Sequence, residues 1–313
     1  MNVWQVASGP SERAYGDVLV RHGVAPIGPG GPGPWRPGMT DDAMGGAVRR
    51  FATEPAISDA IVLRAGTSMI VAVGVIASDY HHLEAFDDVN GWDLQHARRV
   101  RWCELPQPHR FDAPLFGANP ARFSRVQQPP VVDYVRGFLA SEPTSWQEAP
   151  LVPLPPLEPP LEKVPDRLVD VVATVADLVP RYSDGERFGD EPSESEVVAH
   201  LVVPFLRALG WPADRTAVEW RNVDVALFKA LPRTPDHCAI LLEVKRLHAG
   251  VEEALDQARG YVDDLALPAD IVVTDGVRYR LYAASNGYRA VAYANLLNLK
   301  RSASELFARL AAR

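Results

Sequence analysis

The sequence predicts two domains, the first mostly β and the second α/β with a mixed sheet. Three observations carry this. A proline-rich segment, EAPLVPLPPLEPPLEKVP (Glu148 to Pro165), interrupts the 313-residue chain. Prolines at that density favour extended conformation and exclude helix and central strand. Before it, near-continuous apolar runs such as VAVGVIA read as strands covered on both faces. After it, helical spacing alternates with short strand-like runs. The expected boundaries are a first domain at 1–140, a linker at 141–165 and a second domain at 166–313.

In the first domain, AISDAIVLRAGTSMIVAVGVIASDY (Ala56 to Tyr80) reads as two strands around a turn at Ala65-Gly66-Thr67. ARRVRW (Ala97 to Trp102) reads as another strand. VVDYVRGFLA (Val131 to Ala140) has helical spacing. In the second domain, DRLVDVVATVADLV (Asp166 to Val179) is an amphipathic helix. SESEVVAHLVVPFLRALGW (Ser193 to Trp211) is another, with Ser193 as N-cap, Glu196 as the capping-box acid and Gly210 near its end. Strands are expected at Thr216–Trp220, Val223–Phe228 and Ala239–Lys245. A helix over Val251–Leu265 follows, then a strand pair around Gly276 (Ile271 to Asp275, Val277 to Ala284). Asp275 and Arg278 flank that turn and read as turn chemistry. A last helix covers Ser302–Ala312.

Composition narrows the class. No apolar run approaches the roughly 20 residues of a membrane span, and the first residues show neither a basic start nor an apolar signal core. Cys103 and Cys238 lie far apart without metal-ligand spacing. A reducing cytoplasm is expected, with no disulfide framework and no zinc site. The net charge of −8 argues at first against a nucleic-acid partner. Its distribution weakens that argument: 1–140 carries −1, 141–192 carries −7 and 193–313 is neutral.

The stretch AILLEVKRL (Ala239 to Leu247) carries chemistry. Strand alternation puts Ile240, Leu242 and Val244 on one face and Leu241, Glu243 and Lys245 on the other. NVDVALF (Asn222 to Phe228) places Asp224 among alternating apolar residues. On antiparallel neighbouring strands, Asp224 and Glu243 meet at one end of the sheet. Two carboxylates there suit a hard divalent cation such as Mg²⁺, with Mn²⁺ as substitute. Lys245 can orient a water and offset developing negative charge. Glu194 lies on the stripe of Val198, Leu201, Phe205 and Leu209 and is expected to reach the same site. Gln257 and Tyr261, four apart in QARGY, share a helix face.

The order Glu194, Asp224, Glu243-Val-Lys245, Gln257-xxx-Tyr261 resembles a PD-(D/E)XK nuclease. More narrowly it resembles the N-terminal nuclease domain of the type I restriction motor subunit, over about Pro192 to Ala284. SESEVVAHLVVPFLRALGW and IVVTDGVRYRLY support it. The resemblance implies that Asp224 and Glu243 bind the metal and that Lys245 acts at the water. Gln257 and Tyr261 would support the site, with Tyr261 also at the DNA backbone. The proline that the family often has before the Asp is Val223 here.

The first region resembles EVE/PUA-like domains, relatives of YTH domains that include readers fused to modification-dependent restriction systems. The pieces are VWQVASGP, HGVAPIGPG, IVLRAGTSMIVAVGVIASDY and GWDLQHARRVRW, within about residues 1–125. This implies a PUA-like β-barrel with flanking helices, holding a flipped modified base in an aromatic pocket. By motif position Trp92 is one wall; the family often has Gly-Trp where this chain has Gly28-Pro29, so Trp35 from the Gly/Pro-rich loop would substitute as the other, with Tyr80 alongside. Trp4 and Trp102 fall in strands and read as core. Arg99 and Arg101, alternating on one face, are candidate phosphate contacts; Arg98 and His96 complete that basic cluster.

The combined expectation is a modification-dependent DNA endonuclease, acting on 5-methylcytosine or 5-hydroxymethylcytosine in double-stranded DNA as a homodimer with Mg²⁺. Two rival expectations are an RNA-directed nuclease and a non-catalytic reader of modified nucleic acid.

Overall fold

The computed structural model describes residues 1–39, 46–118, 121–141, 145–189, 191–251 and 254–312, without the side chains of residues 12, 187 and 188. It divides into two units, Met1–Leu157 and Glu158–Arg313. Each has its own sheet.

The described residues of the first unit form β1 (Val3–Ala7), β2 (Val24–Ile27), β3 (Ala60–Ala65), β4 (Met69–His82), β5 (His96–Arg110) and β6 (Phe123–Arg125). They make one mixed sheet in the order β2-β5-β4-β3-β1-β6. β1 and β3 run parallel, and the other pairs are antiparallel. β3 explains the texture of the sequence: Ile61 and Leu63 enter one core with Trp4, Leu19 and Phe51. Ala60 and Val62 enter a second core under the Pro129–Ser141 helix, with Val131 and Val135. A strand buried on both faces has no polar alternation to show.

Register shifts at Ile70/Ala72 and Ile76/Tyr80 interrupt the β4–β5 ladder, and such irregularities bend strands and increase twist. The sheet curls but does not close, since β2 and β6 are its edges among the described residues. The expected barrel is thus a curled open sheet here. β5 runs well past the expected Trp102, through Pro106 and Pro108. β2 covers only its first four residues. The rest of β5 is therefore an edge, where proline is tolerated.

The proline-rich segment is fastened at both ends. Arg99 donates to the carbonyl oxygen of Val152, Arg101 Nε donates to that of Ala149 at 2.7 Å, and Leu154 packs on the first core. In the second unit, Leu161 N donates to Leu299 O and Arg301 N to Pro159 O. Glu158 accepts from Ser302 Oγ at 2.9 Å. The expected linker therefore contributes residues to both units.

The second unit contains β7 (Thr216–Trp220), β8 (Val223–Phe228), β9 (Cys238–Val244), β10 (Asp270–Thr274), β11 (Arg278–Ala283) and β12 (Arg289–Asn295). Their order is β12-β11-β10-β9-β8-β7, with only β9 and β10 parallel among the described pairs. One face, through Leu242, Val244 and Leu281, packs on helices at Val169–Tyr182, 194–208 and Ala303–Leu310. The other, through Leu241, Val273 and Tyr282, packs on the Ala254–Leu265 helix, which links β9 to β10. The result is an α/β unit with helices on both sides of a mixed sheet.

Two local devices position the site. Ser193 caps the 194–208 helix and forms the reciprocal capping box with Glu196. Pro204, which has no N–H to return to the preceding turn, follows a π-helical stretch at Val198–Val202. Between β10 and β11, Gly276 adopts φ +82°. A Cβ there would lie 2.8 Å from Leu201 Cβ, so conformation and space both require glycine.

Candidate active site and ligand cleft

Asp224 and Glu243 become neighbours through strand register. Val225 lies opposite Leu242 and Ala226 opposite Leu241, so Asp224 lies opposite Glu243. The pairing is fixed by a hydrogen bond from Val244 N to Asp224 Oδ2 at 2.7 Å. Glu243 is 2% exposed. Its Oε1 accepts from Lys245 Nζ at 2.7 Å. Its Oε2 is buried with no hydrogen-bond partner. Lys245 Nζ also donates to Gln257 Oε1 at 3.0 Å, and Gln257 Nε2 donates to Tyr261 Oη at 3.1 Å. The Gln257 amide is thereby oriented, with oxygen toward the ammonium and nitrogen toward the phenol.

Burial is the main cause of charge stress here. It pushes the Glu243 carboxyl up to about 7, aided by the charges of Asp224 and Glu194 and opposed by Lys245. Burial also raises Asp224, against the Val244 N–H and the Lys245 charge. For Lys245 burial acts downward, but the hydrogen bond and charge of Glu243 outweigh it, and the net shift is upward. Glu194, half-buried at the start of its helix, belongs to the opposite layer from Glu243. It acts on all three groups through its charge.

Sequence reasoning missed Glu219. Val218 pairs with Val225 and Trp220 with Val223, which puts Glu219 opposite Asp224. Its charge raises Asp224 further. Only the β7–β8 register reveals it. The hairpin closes through Arg221 and Asn222, at φ +54° and +70°. Positive φ at both central positions is the type I′ arrangement. Asparagine tolerates it, whereas for other non-glycine residues the left-handed region costs about 1–2 kcal/mol.

Two carboxylates side by side, one with a buried oxygen lacking any partner, fit a hard divalent cation. Among the described residues, no group of three or more His, Cys, Asp or Glu is arranged to hold a metal ion. The fit therefore rests on the pair.

In the first unit the expected aromatic residues separate. Trp35 and Tyr80 meet edge to face at 6.4 Å. Tyr80 Oη accepts from Trp35 N at 2.8 Å and lies 2.8 Å from His96 Nδ1. His96 Nε2 lies 2.8 Å from Pro29 O. A carbonyl only accepts, so Nε2 carries the proton and Nδ1 accepts from Tyr80. Burial holds His96 down at about 4, against the Pro29 bond. Trp35 and Tyr80 thus belong to a hydrogen-bonded chain that pins the Gly/Pro-rich loop.

Trp92 lies elsewhere. It is 6% exposed, bonded to Arg13 O through Nε1, and has the guanidiniums of Arg13 and Arg122 over its ring at 4.2 and 4.7 Å. Tyr15 meets it edge-on at 5.8 Å. Together with Arg64, Arg122, Ser8, Ser11 and Thr67, these two aromatics line a cleft of about 650 Å³. Of the three expected pocket residues, Trp92 lines this cleft and Trp35 and Tyr80 do not.

Arg99 and Arg101, the expected phosphate contacts, are engaged with the chain itself. Their guanidiniums bind carbonyls of Val152 and Ala149, and Arg99 Nε also bonds Gly23 O. Arg98 donates to Phe51 O and Ala52 O at the end of the Gly46–Thr53 helix. Trp4 bonds Asp59 and Trp102 bonds Val24 O, as structural residues do. No described helix is long and apolar enough to cross a membrane.

A family described as a domain of unknown function (DUF8426) matches residues 35–116, which include β3, β4 and β5. No curated protein matches the chain.

Proposed function

We propose that this chain is a modification-dependent DNA endonuclease, with a base-reading first unit and a Mg²⁺-dependent, PD-(D/E)XK-like second unit. The observation that carries the reading is the Asp224–Glu243 pair beside Lys245, with Glu243 Oε2 buried and unpartnered. A divalent cation bound there would polarise the phosphate and acidify water. Asp224 and Glu243 hold it with oxygens of the right hardness. The Lys245 ammonium, fixed between Glu243 and Gln257, orients the attacking water and offsets charge building on the phosphate oxygens. Gln257 and Tyr261 hold that ammonium in place.

The EVE/PUA-like reading of the first unit is supported by the cleft between the loops that follow β1 and β3. The guanidiniums stacked on Trp92 and the hydroxyls of Ser8, Ser11 and Thr67 would take the edge of a flipped base or its phosphate. A single nuclease site cuts one strand, so double-strand scission calls for two copies of the chain.

The test is cleavage in Mg²⁺ of one DNA prepared unmodified, with 5-methylcytosine, with 5-hydroxymethylcytosine and with its glucosylated form. Cutting confined to modified forms supports both roles. Thr67→Trp, which fills the cleft, should then abolish that discrimination, and Glu243→Gln should abolish cutting while sparing binding. Equal cutting of all four forms refutes the reader, and binding without cutting in any form refutes the nuclease.

A further inference from the structure

Arg221 stands at an unusual place. It occupies the tip of the β7–β8 hairpin at φ +54°, where asparagine, aspartate or glycine fit better. It is exposed, and its guanidinium lies 4.9 Å from the Trp220 ring centroid. It makes no hydrogen bond or ion pair among the described residues. The fold by itself does not call for arginine at this position.

Its location is set by register. In β8 the chain runs from the tip down to Asp224, three residues on. In β9 it runs from Glu243 up to Arg246, also three residues on. The β7–β8 register puts Arg221 two rungs beyond Asp224, and β8 and β9 are antiparallel, so Arg221 and Arg246 leave the sheet at the same end, roughly 7–10 Å beyond the carboxylate pair. Arg246 is likewise exposed, and its side chain has no hydrogen bond or ion pair among the described residues. The site between them carries Glu194, Glu219, Asp224 and Glu243 against the single ammonium of Lys245. A polyanion approaching these carboxylates is repelled unless cations at the rim hold it.

We propose that Arg221, with Arg246 opposite, grips the phosphate backbone of the nucleic acid beside the reacting pair. This rests on the nuclease reading, and assigns where its substrate is held. The contact is to phosphate, so it positions without reading sequence. Arginine's planar fork suits that task better than lysine's point charge.

The experiment is binding of an unmodified mixed-sequence duplex to the full chain in EDTA across a salt series, with thermal melting alongside. Arg221→Gly and Arg246→Ala should each weaken binding and reduce the slope of log K against log salt by about one. Arg221→Lys should keep the slope. Arg221→Gly should melt no lower than the unsubstituted chain, and up to about 2–4 °C higher, because glycine accepts the left-handed turn freely. An unchanged slope in Arg221→Gly, with the unsubstituted chain binding the duplex in EDTA and cutting modified DNA in Mg²⁺, overturns this assignment alone. An unsubstituted chain that does not bind this duplex and cuts no modified form in Mg²⁺ overturns the nuclease reading beneath it.

Discussion

Gln257 Oε1 accepts a hydrogen bond from Lys245 Nζ at 3.0 Å, and so ties a helix on one side of the sheet to the strand end that carries the charge. The helix supplies orientation and the strand supplies the ammonium. Lys245 is 21% exposed and would otherwise be steered by Glu243 alone.

Gln257→Leu removes that second partner while keeping size. The expected outcome is a fall in kcat of up to about 10²-fold, the scale of a misplaced reacting group, with KM little changed. Steady-state nicking kinetics check it. A rise in KM at unchanged kcat would instead make Gln257 a substrate-binding group.

His96 gives the first unit a sign-specific pH dependence. Its folded value is about 4, against about 6.5 unfolded. Between these values the unfolded chain binds more protons, so stability rises with pH there. The contribution is complete above about pH 6.5 and is lost as pH falls toward 4, by on the order of 3 kcal/mol. Urea unfolding of the first unit from pH 7 to 4 measures this loss. His96→Gln should flatten that part of the profile.

Asp275 is fully buried and accepts four bonds: from Val277 N, Arg278 N, Arg278 Nε and Arg278 Nη2. Burial acts to raise its carboxyl, but the charge and hydrogen bonds of Arg278 outweigh it and the net shift is downward. Its stabilisation is therefore present above the unfolded carboxylate range and is lost as pH falls through the folded value. Asp275→Ala strips buried Arg278 of its carboxylate and should destabilise the second unit by about 3–5 kcal/mol, read as a shift in urea midpoint.

The second unit was legible where local rules dominate. β7 and β8 fall on their expected residues, and Ser193 and Gly276 mark a cap and a turn whose geometry demands those residue types. β12 escaped because RAVAYAN is half-exposed, with little β-branched content. In the first unit the strands of β3 and β4 were legible from their apolar runs. The partners of Trp92, Arg99 and Arg101 were not, because they come from residues 30 to 79 positions away in the chain. Glu219 was hidden for the same reason: its relation to Asp224 exists only once the hairpin has set its register.

The fastened proline-rich segment has a practical corollary for dissecting the chain. A fragment ending at residue 140 would uncover the guanidiniums of Arg99 and Arg101 and the bed of Leu154. One starting at 166 would strip the β12 side of the second unit of Pro159, Leu161 and the Glu158 cap on Ser302. Both would be poorer folders than the parts they represent. Fragments that meet between Leu157 and Glu158 keep every one of these bonds, so the place to separate the two units is a single peptide bond inside the prolines.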